Sequence, residues 1–77
     1  MKVSNALQIV LSKWDITPYR LAKTSGVGQA TISKLIKGNI QSSTWDVVER
    51  LADGFEKVDV TARVTFLALL MHSNEGG

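Results

Sequence analysis

The apolar side chains of this chain recur at three- and four-residue spacing along almost its whole length. The pattern i, i+4, i+7, i+8, i+11 opens the chain and marks one face of a helix; it is formed by Val3, Leu7, Val10, Leu11 and Trp14. Strict alternation of apolar and polar residues, the mark of a half-buried strand, is not found over a convincing length. The sequence therefore predicts an all-α fold, with a first helix over about 4–14 capped by Ser4 or Asn5.

The size of the chain limits what such helices can build. It has 77 residues, one proline and no cysteine, which leaves room for one small domain without a disulfide, a thiolate metal site or a cysteine nucleophile. A domain of this size needs well-packed helices or a partner subunit to be stable. Its most apolar run, 64–71, is far shorter than the roughly 20 residues of a membrane span, and no targeting segment is recognised. We expect a cytoplasmic protein.

The second helix has clear start and stop signals. Thr17 is suited to accept from a free backbone amide as N-cap, and Pro18 fits the first helical position, where its missing N–H is not needed. Gly26 ends the helix because glycine adopts a positive φ without steric penalty. The second helix is therefore predicted over about 18–25.

The third helix is predicted over about 28–37. Gly28 or Gln29 opens it, and Gly38-Asn39 closes it. Its inner stripe follows i, i+3, i+4 and consists of Ile32, Leu35 and Ile36.

Two longer helices follow a polar loop at 38–44. Ser43 or Thr44 is predicted to cap the fourth helix, and Asp59 or Thr61 to open the fifth. The buried stripe predicted for the fourth helix is Val47, Val48, Leu51 and Ala52, with Phe55 just past Gly54. The apolar residues of the fifth are Val64, Phe66, Leu67, Leu69, Leu70 and Met71.

The charge of the chain is unevenly distributed. Its formal net charge is only +2. Residues 13–39 hold five basic side chains against one carboxylate, a net +4, whereas 40–59 hold two against five, a net −3. A basic segment beside an acidic one indicates an anionic partner for the basic segment.

The second and third helices meet at a tight turn around Gly26. This spacing is that of a helix-turn-helix, in which the second helix of the pair lies in the DNA major groove. Ala22 has to be small because the next helix crosses close to it, and Val27 and Ile32 have to be apolar to fill the angle between the helices. The sequence meets these demands.

The segment 17–38 as a whole resembles the Cro and lambda-repressor (XRE-like) family of regulators. The residues that carry the resemblance are Leu21-Ala22, Ser25-Gly26-Val27, Thr31-Ile32-Ser33, Lys34 and Gly38. The resemblance covers about residues 4–71. It implies a compact five-helix bundle with one DNA-binding domain at 1–72 and a disordered tail at 73–77.

The resemblance also implies a function. We expect a sequence-specific transcriptional regulator, a repressor that occupies operator DNA, encoded by a bacterium or phage and associated with the nucleoid. An antitoxin or a protein-interaction adaptor built on the same fold is the alternative, with a protein as a second partner. We expect neither an enzyme nor a cofactor, because no nucleophile–base or carboxylate pair can be assigned to a pocket.

The outward face of the third helix follows from its inward face. We expect the residues that read base edges to be Gln29, Ala30, Thr31, Ser33 and Lys34. The residues suited to phosphate are Thr17, Tyr19, Lys37, Asn39 and Ser42. Tyr19 has a second interpretation, in which it covers the edge of the core.

The fifth helix is apolar on two sides. One stripe comprises Phe66, Leu69 and Leu70; the other comprises Val60, Val64, Leu67 and Met71. Both cannot face one small core, so either the helix is wholly buried or the second stripe meets another subunit. We favour a symmetric homodimer, which would place two DNA-reading helices about 34 Å apart on a palindrome.

Three other side chains are assigned structural roles. Trp14 and Trp45 are expected to anchor the core or a loop rather than to stack on bases. His72 is expected at the surface near a helix C-terminus, where the helix dipole favours a cation. Without a second histidine or any cysteine, no metal site is predicted.

Overall fold

The computed structural model describes residues 3–38 and 45–72. Almost all of them lie in five helices, which are α1 (Val3–Lys13), α2 (Pro18–Ser25), α3 (Gln29–Lys37), α4 (Trp45–Val58) and α5 (Val60–His72). The described residues contain no strand, and the predicted all-α five-helix bundle is confirmed. None of these helices is long and apolar enough to cross a bilayer. Some predictions lie outside the described residues: Asn39, Ser42, Ser43, Thr44 and the tail at 73–77.

The first helix differs from its prediction at both ends. It begins at Val3, so Ser4 and Asn5 lie within its first turn, and their prediction as caps is wrong. It ends before Asp15, whose φ of 54° is left-handed, and the Ile16 amide donates to the Leu11 carbonyl at 2.9 Å. This reversal returns the chain to the bundle and buries Ile16.

The boundary between the last two helices was predicted correctly. Asp59 lies between α4 and α5, and its Oδ1 accepts from the Thr61 amide at 2.8 Å. This hydrogen bond and a side-chain hydrogen bond from Thr61 lower the pKa of the Asp59 carboxyl, with a smaller contribution from the Trp14 side chain. Gly54 does not interrupt α4, which continues to Val58.

The core joins all five helices. The helix α4 packs against α2 and α5, while α1 packs against α3 and α5, and α2 packs against α3. Phe55 and Phe66 lie at its centre with ring centroids 5.0 Å apart and planes tilted by 58°, a favourable geometry for two aromatic rings. The other fully buried large side chains are Leu7, Val10, Leu21, Ile32, Leu35 and Leu51. The helices α2 and α3 are thereby fixed on a rigid support.

Candidate nucleic-acid interface

The start of α2 has the predicted cap. Thr17 is extended, with φ −81° and ψ 154°, and its Oγ1 accepts from the Arg20 amide at 3.1 Å. Pro18 occupies the first turn. Because the Thr17 oxygen serves as the acceptor, its O–H remains available as a donor for an anionic group outside the helix.

The turn between α2 and α3 is closed by local hydrogen bonds. Gly26 has φ 77°, in the left-handed region, and its amide donates to the Ala22 carbonyl at 3.0 Å. The Val27 amide donates to Ser25 Oγ at 3.1 Å. Val27 and Ile32 are buried, so the predicted apolar wedge between the two helices is confirmed.

The helix α3 has one buried and one exposed face. Ile32 and Leu35 are buried and Ile36 is half-buried, as the inner stripe predicts. The five predicted base readers lie outward from that stripe or beside it: Gln29, Ala30 and Lys34 are exposed, and Thr31 and Ser33 are half-buried. Lys37, the last residue of the helix, is exposed and extends the same surface. The predicted readers therefore share one polar surface with small side chains at its start.

The acidic side chains of α4 have partners within the chain. Asp46 pairs with Arg50 at 3.3 Å, and Arg63 of α5 pairs with Asp53 at 3.0 Å and with Glu56. These ion pairs are exposed and each contributes little stability. They nevertheless keep the α4 carboxylates directed to α4 and α5.

The basic side chains of α3, unlike the acidic side chains of α4, have no ion-pair partner among the described residues. Lys34 and Lys37 both lie in the last turn of α3, and among residues 3–38 and 45–72 no carboxylate forms an ion pair with either. The two ammonium groups are exposed beside the polar surface of α3. Among the described residues, the two lysines beside the predicted readers are therefore not neutralised by an ion pair.

The predicted phosphate contact Tyr19 lies on α2. Its side chain is 54% exposed, which does not fit the interpretation that it covers the core edge. The Lys23 ammonium lies over its ring, 4.7 Å from the centroid, a cation–π contact that holds a positive charge beside the phenol.

Two contacts that sequence reasoning missed hold the helix-turn-helix in place. Gln8 of α1 donates from Nε2 to the Ile36 carbonyl at 2.8 Å and so satisfies a carbonyl at the end of α3. Gly54 of α4 lies against Ser25, where a Cβ would come within 2.6 Å of the serine Cβ. A glycine inside an amphipathic helix is a signal of such close approach, whereas nothing in the sequence singles out Gln8.

The predicted dimer stripe on α5 is largely uncovered. Val60, Val64 and Met71 are 62%, 58% and 71% exposed, and Leu67 is half-buried. The opposite stripe is inward: Phe66 is fully buried, and Leu69 and Leu70 are half-buried against the core. Leu67 also touches the core, at the edge of the exposed stripe. The structure therefore excludes a wholly buried α5, which was one of the two explanations for its two apolar stripes.

The two tryptophans differ in their burial. Trp14 is half-buried and packs against the core, as expected. Trp45 begins α4 and is 65% exposed, so it is not a core anchor; the loop that it was also expected to anchor lies outside the described residues. His72 is exposed in the last turn of α5, and the part of the chain that the structure describes has no group of three His, Asp or Glu able to hold a metal.

The fold and the polar surface of α3 together define a helix-turn-helix protein of the DNA-binding class. Residues 6–56 match the family model of the Cro/C1-type helix-turn-helix DNA-binding domain, and the chain belongs to this family. It is therefore a DNA-binding transcription regulator. No curated protein and no solved structure matches it significantly. The family match includes most of α4 and ends before α5.

Proposed function

We propose that this protein is a sequence-specific repressor that occupies a palindromic operator as a homodimer. The observation that carries the proposal is the distribution of exposed chemistry. The α3 surface is polar, with two lysines that no described carboxylate pairs, whereas α5 exposes an apolar stripe. The first suits the major groove, and the second suits a second subunit.

The first turn of α3 is proposed to read bases. Gln29 can donate to and accept from the major-groove edge of adenine. The Ala30 and Thr31 methyl groups suit a thymine methyl. Ser33 and Lys34 follow one turn later, where Lys34 can donate to guanine or to a phosphate. Small side chains at the start of the helix allow it to approach the base edges closely.

A second set of residues is proposed to position the protein on the phosphates. Thr17 retains an O–H donor beside the first amides of α2, which are suited to an anion. The ammonium of Lys23 lies over the ring of Tyr19 and adds positive charge there. Lys37 extends the surface from the other end of α3, and Asn39 and Ser42, which lie outside the described residues, are proposed as further phosphate contacts from their polar side chains alone.

The homodimer is proposed to form through the α5 stripe of Val60, Val64, Leu67 and Met71. Such an interface removes exposed apolar surface from water. It also pairs two α3 helices, whose separation of about 34 Å would match one turn of DNA. The DNA-binding unit is proposed to comprise residues 1–72, in the bacterial or phage-infected cytoplasm with the nucleoid.

A DNA titration tests the proposal. Fluorescence anisotropy with labelled genomic fragments, including the region upstream of the protein's own reading frame, is measured at several salt concentrations. We expect preference for one or a few fragments over random DNA by about 10³-fold or more, and an affinity that falls steeply with salt. Equal binding to all fragments would contradict a sequence-specific regulator.

Substitutions separate base reading from phosphate positioning. Gln29→Ala is expected to cost about 1–3 kcal/mol at one operator position and to relax specificity there. Lys37→Ala is expected to weaken binding to all sequences similarly and to reduce the salt slope by about one ion. The matched control is Lys57→Ala, an exposed lysine in the last turn of α4, which should leave both quantities unchanged.

The exposed apolar stripe of α5 also favours a second candidate, an antitoxin or adaptor that holds a different protein. The two candidates differ in solution. A repressor of the proposed kind is a dimer by itself, and sedimentation of the wild type against Leu67→Asp should show a dimer and a monomer, respectively. A monomeric wild type that associates with the product of a neighbouring gene would favour the second candidate.

A further inference from the structure

An apolar groove lies beside the exposed stripe of α5. It is a shallow cavity of about 320 Å³ lined by Trp45, Leu67, Leu70 and Met71. Leu67 and Met71 also belong to the α5 stripe, so the groove and the stripe form one continuous surface. The groove adds the first residue of α4 to a surface that otherwise belongs to α5 alone.

Trp45 is suited to be covered by another apolar surface. Its side chain is 65% exposed, and its Nε1 donates to Glu49 Oε1 at 2.9 Å. Because the indole N–H already has an acceptor, burial of the ring would leave no unpaired donor. Tryptophan with its polar atom satisfied is the kind of residue that dominates the energy of protein interfaces.

The stripe on α5 is asymmetric along the helix. Its first half projects two exposed valines, Val60 and Val64. Its second half, Leu67 and Met71, lines the groove together with Leu70, a half-buried residue of the opposite stripe. The helix therefore carries projecting side chains at one end and a recess at the other, with centres about 11 Å apart at 1.5 Å per residue.

An interface confined to the stripe would be small. A stable interface takes about 20–30 residues from each partner, whereas the stripe has four residues on one helix. The interface therefore has to extend sideways, and the groove at Trp45 is the apolar surface that adjoins the stripe.

We propose that the groove receives Val60 and Val64 of a second copy of this chain, with the two α5 helices antiparallel. This inference rests on the proposed homodimer and specifies its geometry. In a two-fold dimer a contact of residue i with residue j is repeated as j with i. An axis midway along the stripe pairs Val60 with Met71 and Val64 with Leu67, so each recess receives the valines of the other copy.

Self-complementarity is the reason for choosing a second copy as the occupant. A groove for an unrelated protein would not require projecting valines on the same helix at the opposite end. A parallel arrangement would set valine against valine and recess against recess, and it would leave both grooves unfilled.

A charge-pair experiment tests this geometry on the full chain. Val60→Lys and Met71→Glu both change residues that are well exposed in the monomer, so neither should alter its fold, as circular dichroism checks. Each variant alone is expected to raise the dimer dissociation constant by at least about tenfold. An equimolar mixture of the two is expected to restore dimers, because each heterodimer keeps one native valine–methionine contact and gains one ion pair.

The outcomes separate this inference from the proposed homodimer. If the wild type is dimeric but the mixture stays as weak as the single variants, the antiparallel groove is wrong and the homodimer stands. A wild type that sediments as a monomer at all concentrations contradicts both, while DNA binding remains to be judged by the titration above. The control Ile9→Lys changes another exposed apolar residue, on α1, and should leave the dissociation constant unchanged.

A second readout reports on Trp45 directly. In Trp14→Phe, Trp45 is the remaining tryptophan, and its emission should shift to shorter wavelength as the protein is concentrated through the dimer dissociation constant. Dimer formation without this shift would show that Trp45 lies outside the interface and would overturn the groove. If Trp14→Phe does not fold, quenching of wild-type fluorescence by acrylamide across the same concentrations gives the answer.

Discussion

The helices α3 and α5 show how two similar buried faces can be combined with opposite exposed faces. Each places aliphatic or aromatic side chains in the shared core, such as Ile32 and Leu35 on α3 and Phe66 on α5. Outward, α3 presents amide, hydroxyl and ammonium groups, whereas α5 presents Val60, Val64 and Met71. The buried faces keep both helices in the fold, and the exposed faces are the basis on which different partners are proposed for them.

The family match also separates α3 from α5. It includes the whole of α3 and ends at residue 56, before α5 begins. The family match therefore covers the helix proposed to read DNA and does not extend to the helix proposed to form the dimer. If the two faces are independent, changes to the supports of one helix should leave the surface of the other intact.

The largest effect is expected at the buried face of α5. Phe66→Ala removes a fully buried ring that packs on Phe55 and should cost about 3–5 kcal/mol of unfolding free energy. Small domains have about 5–15 kcal/mol in total, so the loss should be a large part of the stability. Chemical denaturation followed by circular dichroism measures this loss.

The matched control lies on the opposite side of the same helix. Val64→Ala changes an exposed residue, so the monomer should lose at most about 0.5 kcal/mol, with its main effect on dimer formation. Equal losses of monomer stability for the two variants would show that the faces of α5 are not divided as described.

The next effect is expected where α4 supports α2. Alanine at a helical glycine normally gains about 1 kcal/mol from helix propensity. Here Gly54→Ala would place a Cβ 2.6 Å from Ser25 Cβ and 2.9 Å from its Cα, and backbone atoms cannot move aside cheaply. Overpacking should prevail and cost about 1–3 kcal/mol, with weaker DNA binding because α2 and the turn are displaced.

Substitution of another glycine provides the control for that prediction. Gly28 is extended at the start of α3, and its Cβ position is open except for Thr31 Oγ1 at 3.9 Å. Gly28→Ser should be tolerated and should add a few tenths of a kcal/mol, because serine can cap the helix where glycine makes no side-chain hydrogen bond. A higher melting temperature for Gly54→Ala than for Gly28→Ser would contradict the close contact of Gly54 with Ser25.

The features of α2 and α3 that sequence predicted are local ones. Thr17, Pro18 and Gly26 act within a few residues of themselves, so their types alone indicate a cap, a first turn and a left-handed end. The wedge of Val27 and Ile32 follows from the same short segment. For such features the chemistry of neighbouring residues is sufficient.

The features that sequence missed depend on how distant helices are placed. Ile16 is buried because the chain reverses at Asp15, and Gln8 reaches Ile36 only once α1 and α3 are packed together. Trp45 was assigned by its apolar character, yet the start of α4 leaves it exposed. Periodicity gives the faces of a helix, and it does not give their neighbours.

A smaller effect is expected at the end of α3. Gln8→Ala removes the donor to the Ile36 carbonyl and should cost about 0.5–1.5 kcal/mol, with faster amide hydrogen exchange in the last turn of α3. Gln8→Lys keeps a donor and places a cation near a helix C-terminus, where it is favoured, so it should retain most of the stability. Loss of stability in both variants alike would mean that the hydrogen bond is not what holds α3 to α1.

The smallest effect is expected at the start of α5, where an exposed carboxylate caps the helix. Hydrogen bonds from Thr61 lower the pKa of Asp59 below its ordinary value of 3.8, so the folded protein binds a proton there less readily than the unfolded chain. This stabilisation is therefore complete above the unfolded pKa and is lost as the pH falls through the lower, folded pKa. Asp59→Asn retains an oxygen that can accept from the Thr61 amide but cannot ionise, so its stability should fall less than that of the wild type in acid. Urea titrations from pH 6 to below pH 3 measure the free energy of unfolding of both proteins. If it changes with pH in the same way for both, the charge of Asp59 does not contribute to the stability of α5.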